Sequence, residues 1–211
     1  MDSFILRWRC IGDSTLVGLV MFLGGLLVST PAVAARDNFA DPCQQPFLGR
    51  ACPANSRHHI FFFGGSMSDS AIYWTNRARS ASYNKVSGWT TASTTHHDSA
   101  DLHLLYTPNG FPDPGLVGLY ACQTTRSSGS CDHAHVRYNS AYWNSFSGSE
   151  RWGLTCHEIG HSVGLTHPLD AGQPNDVNTT NCLVQGVSNA AQSPYLGSHN
   201  SWHMTSESFY N

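Results

Sequence analysis

Apolar and polar residues follow one another in short, turn-bounded groups over most of the chain. His-His-Ile-Phe-Phe-Phe ends in Gly64-Gly65, so residues 60–63 read as a short buried strand. Ser68 or Asp69 can cap a helix that runs to about Ser82, with Ile72, Tyr73, Asn76 and the residues from Ala78 onward giving a weak amphipathic stripe. Residues 102–106 and 116–121 read as two strands, separated by the turn-rich Pro108-Asn109-Gly110-Phe111-Pro112-Asp113-Pro114-Gly115. In residues 133–138, His-Ala-His-Val-Arg-Tyr, polar and apolar positions alternate with period two, the pattern of an exposed or edge strand. A second amphipathic helix is expected from Ser149 or Glu150, carrying Trp152, Leu154, Ile159 and Val163. No repeat and no long linker interrupts this series, which fits one domain.

The first 35 residues differ in kind. Arg7 and Arg9 precede an apolar stretch over residues 14–28, followed by Ser29-Thr30-Pro31 and Ala32-Val33-Ala34. A basic start, an apolar core and a small-residue site read as a secretory signal peptide over residues 1–35, cut after Ala34 or Ala35. An uncleaved anchor would need roughly 20 apolar residues, and this run has about 15. Residues 36–56 then form a short N-terminal segment, and residues 57–211 the main domain.

Export changes the reading of the cysteines. Without Cys10 the set is Cys43, Cys52, Cys122, Cys131, Cys156 and Cys182, an even number that suggests disulfides in an oxidising compartment. Proximity along the chain pairs Cys43 with Cys52, Cys122 with Cys131, and Cys156 with Cys182. A free Cys156 thiol is the alternative for the last. No C-x-x-C is present for a thiolate zinc site.

Composition narrows the chemistry. Twelve histidines stand against eleven Lys plus Arg, and charged residues make up only 12% of the chain. Only three glutamates are present, Glu150, Glu158 and Glu207. A net charge of −3 with no basic cluster gives no electrostatic footprint for nucleic acid or an anionic membrane. With 40% hydrophobic residues the chain can bury a core, which argues against disorder.

The stretch Cys156-His157-Glu158-Ile159-Gly160-His161-Ser162-Val163-Gly164-Leu165-Thr166-His167 contains H-E-x-x-H-x-x-G-x-x-H. On a helix His157 and His161 lie at i and i+4 on one face and can share a metal ion. The helical rise carries the chain away, so a third ligand needs a turn; Gly164 can adopt the left-handed conformation that ends the helix and brings His167 back. Three neutral imidazoles suit Zn²⁺, with a fourth position left for water. Glu158 can then reach that water as general base. H-E-x-x-H alone arises by chance in about one such sequence per hundred, and the full pattern in on the order of five per hundred thousand.

At these residues the sequence resembles the metzincin clan of zinc endopeptidases, and most of all its small secreted members with little beyond a catalytic domain. Ala100-Asp101-Leu102-His103-Leu104-Leu105-Tyr106, Gly118-Leu119-Tyr120-Ala121 and His135-Val136-Arg137-Tyr138-Asn139 occur in the order of that clan's strands. The resemblance implies an α+β fold. It has a twisted, mostly parallel five-stranded sheet with one antiparallel edge strand, a backing helix, a zinc-binding active-site helix and a small C-terminal subdomain ending in a helix. On that pattern residues 133–138 are the antiparallel edge strand, to which an extended protein or peptide substrate adds. The implied activity is hydrolysis of peptide bonds by a monomeric, extracellular enzyme, with His157, His161 and His167 on the metal and Glu158 catalytic.

The clan's methionine turn is matched less well. Leu183, in Asn181-Cys182-Leu183, is the favoured occupant, leaving Met204 to a last, terminal helix over about residues 200–210. A second, structural Zn²⁺ or Ca²⁺ is expected, if at all, on His96, His97 and Asp98 with Asp101 or His103. His199 or His203 can face the cleft. Cys43 as a thiolate on the zinc is an alternative to its disulfide. Two other activities stay open: a zinc-dependent amidase acting on a non-protein substrate, and an inactive zinc-stabilised binding module.

Overall fold

The computed structural model describes residues 51–107, 109–113, 115–168 and 175–206. The expected leader, Cys43 and residues 207–211, which include Glu207 and the end of the expected last helix, lie outside the described residues. Strand β1 (His58–Phe63) leads into helix α1 (Asp69–Ala81), where the Ser68 hydroxyl accepts from the Ala71 N–H and so satisfies a donor of the first turn. Next come β2 (Thr90–Thr94), β3 (Leu102–Thr107), β4 (Gly118–Thr125) and β5 (Cys131–Asn139). Helices α2 (Ser140–Trp143), α3 (Gly148–Ser162), α4 (Val177–Thr180), α5 (Val187–Ala190) and α6 (Ser198–Ser206) complete the described chain. Among the described residues no helix is long and apolar enough to cross a membrane.

The five strands form one sheet in the order β2-β1-β3-β5-β4. All neighbours run parallel except β4, which lies antiparallel to β5 at one end. This is the mostly parallel sheet with one antiparallel edge, but the edge strand is not the expected one. Residues 133–138 belong to β5, which pairs with β3 on one side and β4 on the other. The period-two pattern there reflects two unlike faces rather than an exposed edge. Ala134, Val136 and Tyr138 are buried in the core, while His133, His135 and Arg137 occupy the opposite face. Strand β2 has no apolar run to announce it: Thr-Thr-Ala-Ser-Thr extends by β-branching and by pairing in register with β1.

Phe61, Leu102, Leu104, Val136 and Tyr138 from the sheet join Ala71 and Ala78 of α1 and Leu154, Cys156 and Ile159 of α3 in one core. Helices α1 and α3 pack against each other, and α3 also lies against β4 and β5. Gly153 lets α5 approach α3 closely: a β-carbon there would sit 2.7 Å from the Ala190 backbone. Disulfides join Cys122 to Cys131 across the β4–β5 hairpin, and Cys156 of α3 to Cys182. Cys52 is also disulfide-bonded.

Leu104 is fully buried in the middle of the sheet, so Leu104→Ala leaves a cavity that its neighbours cannot fill. The expected loss is about 2–5 kcal/mol of unfolding free energy, read from urea melts of the two proteins under identical redox conditions.

Candidate metal centre

Helix α3 begins with a complete capping box. The Ser147 hydroxyl accepts from the Glu150 N–H, and the Glu150 carboxylate accepts from the Ser147 N–H at 2.8 Å. The helix ends in a Schellman turn. Gly164, at φ +95°, allows the Leu165 N–H to reach the Gly160 carbonyl at 3.0 Å and the Gly164 N–H to reach that of His161 at 3.2 Å. Leu165 is buried by this reversal, and His167 returns to the helix face that carries His157 and His161.

The three Nε2 atoms form a small triangle. His157 and His167 are 2.9 Å apart, and His161 is 3.1 Å from each. Backbone carbonyls fix the proton on the other side of two rings: His157 Nδ1 donates to Cys182 at 2.8 Å, and His161 Nδ1 donates to Leu165 at 2.7 Å. Their Nε2 atoms therefore point bare lone pairs at one another. The Gln185 amide Nε2 lies 3.3 Å from His167 Nδ1 and donates to it. The three ring nitrogens converge on one point, where a cation can accept a lone pair from each. Ligands about 2.0–2.1 Å from a tetrahedral ion stand roughly 3.3 Å apart, close to these separations. The imidazole set thus fits a divalent ion, with the outer hydrogen bonds that ligating histidines usually make.

The support below the site comes from distant parts of the chain. The Cys156–Cys182 disulfide ties the carbonyl that orients His157 to the helix that carries it. Tyr83 Oη donates to the Cys156 carbonyl at 2.5 Å. Leu183 is fully buried, and its methyl groups lie about 3 Å from where a β-carbon on Gly160 would stand, so it packs directly against α3 between the ligand positions. Met204 sits in α6, its carbonyl accepting from Trp89 Nε1.

Glu158 is 5% exposed and lines the same cleft as the three histidines. Burial pushes its pKa up to about 8, opposed by a hydrogen bond from the Tyr120 backbone. Gly118 of β4 lies against it: a β-carbon there would overlap the Glu158 carboxylate. Sequence reading did not single out Gly118, because the contact joins residues 40 positions apart. The cleft has a volume of about 330 Å³ and runs beside β4, lined by Gly118, Leu119, Tyr120, Leu154, Val187 and Ala190 among others. Neither His199 nor His203 lines it; they meet each other on α6, with ring centroids 4.6 Å apart.

The expected second ion site does not assemble from the residues proposed for it. Asp101 instead accepts from the Ile60 N–H at 2.7 Å, and His97 Nδ1 meets Asp98 at 2.9 Å on the surface. His103 groups with His133 and His135.

Comparison of the sequence with models of protein families found no match, and comparison with curated proteins found none. Among solved structures, the chain is similar to a crystal structure of myroilysin with a TM-score of 0.37 and 11% sequence identity, over 70% of this chain and 66% of that one. The chain spans just under two thirds of the length of that structure.

Burial, and then the neighbouring His167 ring, push His157 down to about 3, and burial likewise holds His161 well below the ordinary imidazole value. An unfolded imidazole takes its proton near pH 6.5, whereas folded His157 does so only near pH 3, so acid favours the unfolded chain progressively between those values. Above about pH 6.5 neither state is protonated and the contribution is flat. A divalent ion on the folded site is accordingly expected to remain at pH 5 and to be released near pH 3, measured as metal content after desalting at each pH. Release already at pH 6 would contradict the burial-driven shift.

Proposed function

We propose that the protein is an exported zinc-dependent endopeptidase that cleaves extended peptides in the cleft between β4 and α3. The observation that carries this reading is the triangle of three Nε2 atoms opening into the cleft that also holds Glu158, the one buried carboxyl group among the described residues. His157, His161 and His167 would hold the ion. When bound there, Zn²⁺ supplies Lewis-acid polarisation of a carbonyl and lowers the pKa of a water. Glu158, buried in the same cleft, would be favoured in its carboxylate form by a cation on these histidines, opposing the effect of burial and leaving it able to take a proton. Glu158 accepts that proton from the attacking water and passes it to the leaving amine. Its burial against Gly118 keeps the carboxylate aimed into the cleft rather than into solvent.

The outer edge of β4 is unpaired within the sheet, so a substrate backbone can add there as a further antiparallel or parallel strand. Leu154, Val187 and Ala190 offer an apolar wall for one substrate side chain. The disulfides fit an oxidising compartment, in line with the signal-like N-terminus.

Glu158→Gln keeps the shape and removes the base. Hydrolysis of an unfolded protein is expected to fall by about 10²–10⁴-fold with metal content unchanged, and equal activity of the two proteins would show that the assigned base is wrong. Gly118→Ala leaves all three imidazoles untouched but displaces Glu158. Hydrolysis should drop at least about tenfold while metal content stays the same. A peptide-library digest separates this activity from an amidase acting on non-protein substrates, which would leave every peptide intact.

A further inference from the structure

The face of the sheet turned away from α1 and α3 carries a second convergence of imidazoles. His103 of β3 is in register with His135 of β5, and His133, two residues earlier on β5, shares their face. One ring nitrogen from each lies within 4.8 Å of the others. The rings are in contact: His103 and His133 meet edge to face at 4.1 Å between centroids, and His103 and His135 stack at 5.4 Å with 13° between their planes.

Proton bookkeeping on these rings repeats that of the first centre. His103 Nε2 donates to the His97 carbonyl at 2.9 Å, and His133 Nδ1 donates to the Ala100 carbonyl at 3.1 Å. Both carbonyls belong to the β2–β3 connection, which folds over the sheet through a 3-10 turn at His97–Ser99. Each hydrogen bond consumes the N–H of a neutral ring and leaves the other nitrogen, His103 Nδ1 or His133 Nε2, as a bare lone pair. His135 accepts from Arg137 Nη2 at Nδ1, 3.3 Å away, a contact that an ion bound through that nitrogen would replace.

The three rings differ in burial, with His103 enclosed and His133 and His135 half-buried. His103 is 1% exposed, packed under Phe62 at 5.2 Å and His97 at 3.9 Å between ring centroids. His97 is mostly exposed and its Nδ1 is paired with Asp98, which adds negative charge nearby. Burial is the main reason that His103 and His135 are both held below the ordinary imidazole value.

We propose that His103, His133 and His135 form a second site for a divalent ion, of which Zn²⁺ is the best match to an all-imidazole set, on the sheet face opposite the cleft. The ion would pin the β2–β3 connection to β3 and β5, because both outer hydrogen bonds run to that connection. It takes no part in the cleft chemistry and does not depend on it.

The test is zinc bound per full-length chain after chelation, saturation and desalting, for wild type, His133→Gln/His135→Gln and His157→Gln/His161→Gln. The expected result is that the His133/His135 variant holds one ion fewer than wild type. If the cleft centre binds nothing, wild type holds one ion and that variant none, so the two proposals fail separately. A His133/His135 variant that binds as much zinc as wild type overturns the site. If this variant does not fold, wild-type crystals grown with zinc decide: an anomalous peak among the three rings supports the site, and its absence overturns it.

Discussion

Three imidazole nitrogens about 3 Å apart and facing one another need rings held in fixed orientations, and much of the surrounding structure acts to hold them. A helix can place only two of the three, because residues beyond i+4 on the same face move away along the axis. The third needs the chain to reverse within a few residues. The Schellman turn at Gly164 does this, and the buried Leu165 that follows anchors the reversal in the core. Carbonyls of Cys182 and Leu165 then decide which nitrogen of His157 and His161 is bare. The Cys156–Cys182 bond makes the first of these a property of the covalent chain as well as of packing.

The same constraint explains the position of the carboxyl group. Glu158 follows His157 directly on the helix, so its carboxyl end is carried to the cleft side, where α3 meets β4. Gly118 leaves just enough room for it. Burial alone would keep this group protonated at neutral pH, and a cation among the imidazoles would reverse that. The base and the metal ligands are therefore coupled through charge as well as through the backbone.

The sheet has two unlike faces. One carries Phe61, Leu102, Leu104, Val136 and Tyr138 into the helices, a conventional apolar core. The other brings His103, His133 and His135 together under the β2–β3 connection. Period-two alternation in β5 thus serves a strand inside the sheet, and an expectation of edge exposure drawn from its polar positions was misplaced. The abundance of histidine in a chain so poor in charge has a structural counterpart in these two clusters, which together use six of the twelve.

Residues close in sequence were legible without the structure. His157, His161, Gly164 and His167 span eleven positions, so helical geometry and one left-handed residue suffice to bring them together, and the Cys122–Cys131 and Cys156–Cys182 bonds follow from proximity. The apolar runs of β1 and β3 and the cap of α1 are likewise local signals. Strand β2 was not legible, since a threonine-rich pentapeptide becomes a strand only when β1 offers a ladder. Strand order, the edge position of β4, the fit of Glu158 against Gly118 and the pairing of His103 with His135 depend on register between segments 30 or more residues apart. Local pattern determines which residues can act and how short elements form; only the folded sheet decides which of them meet, because register is set by the burial of a whole face at once.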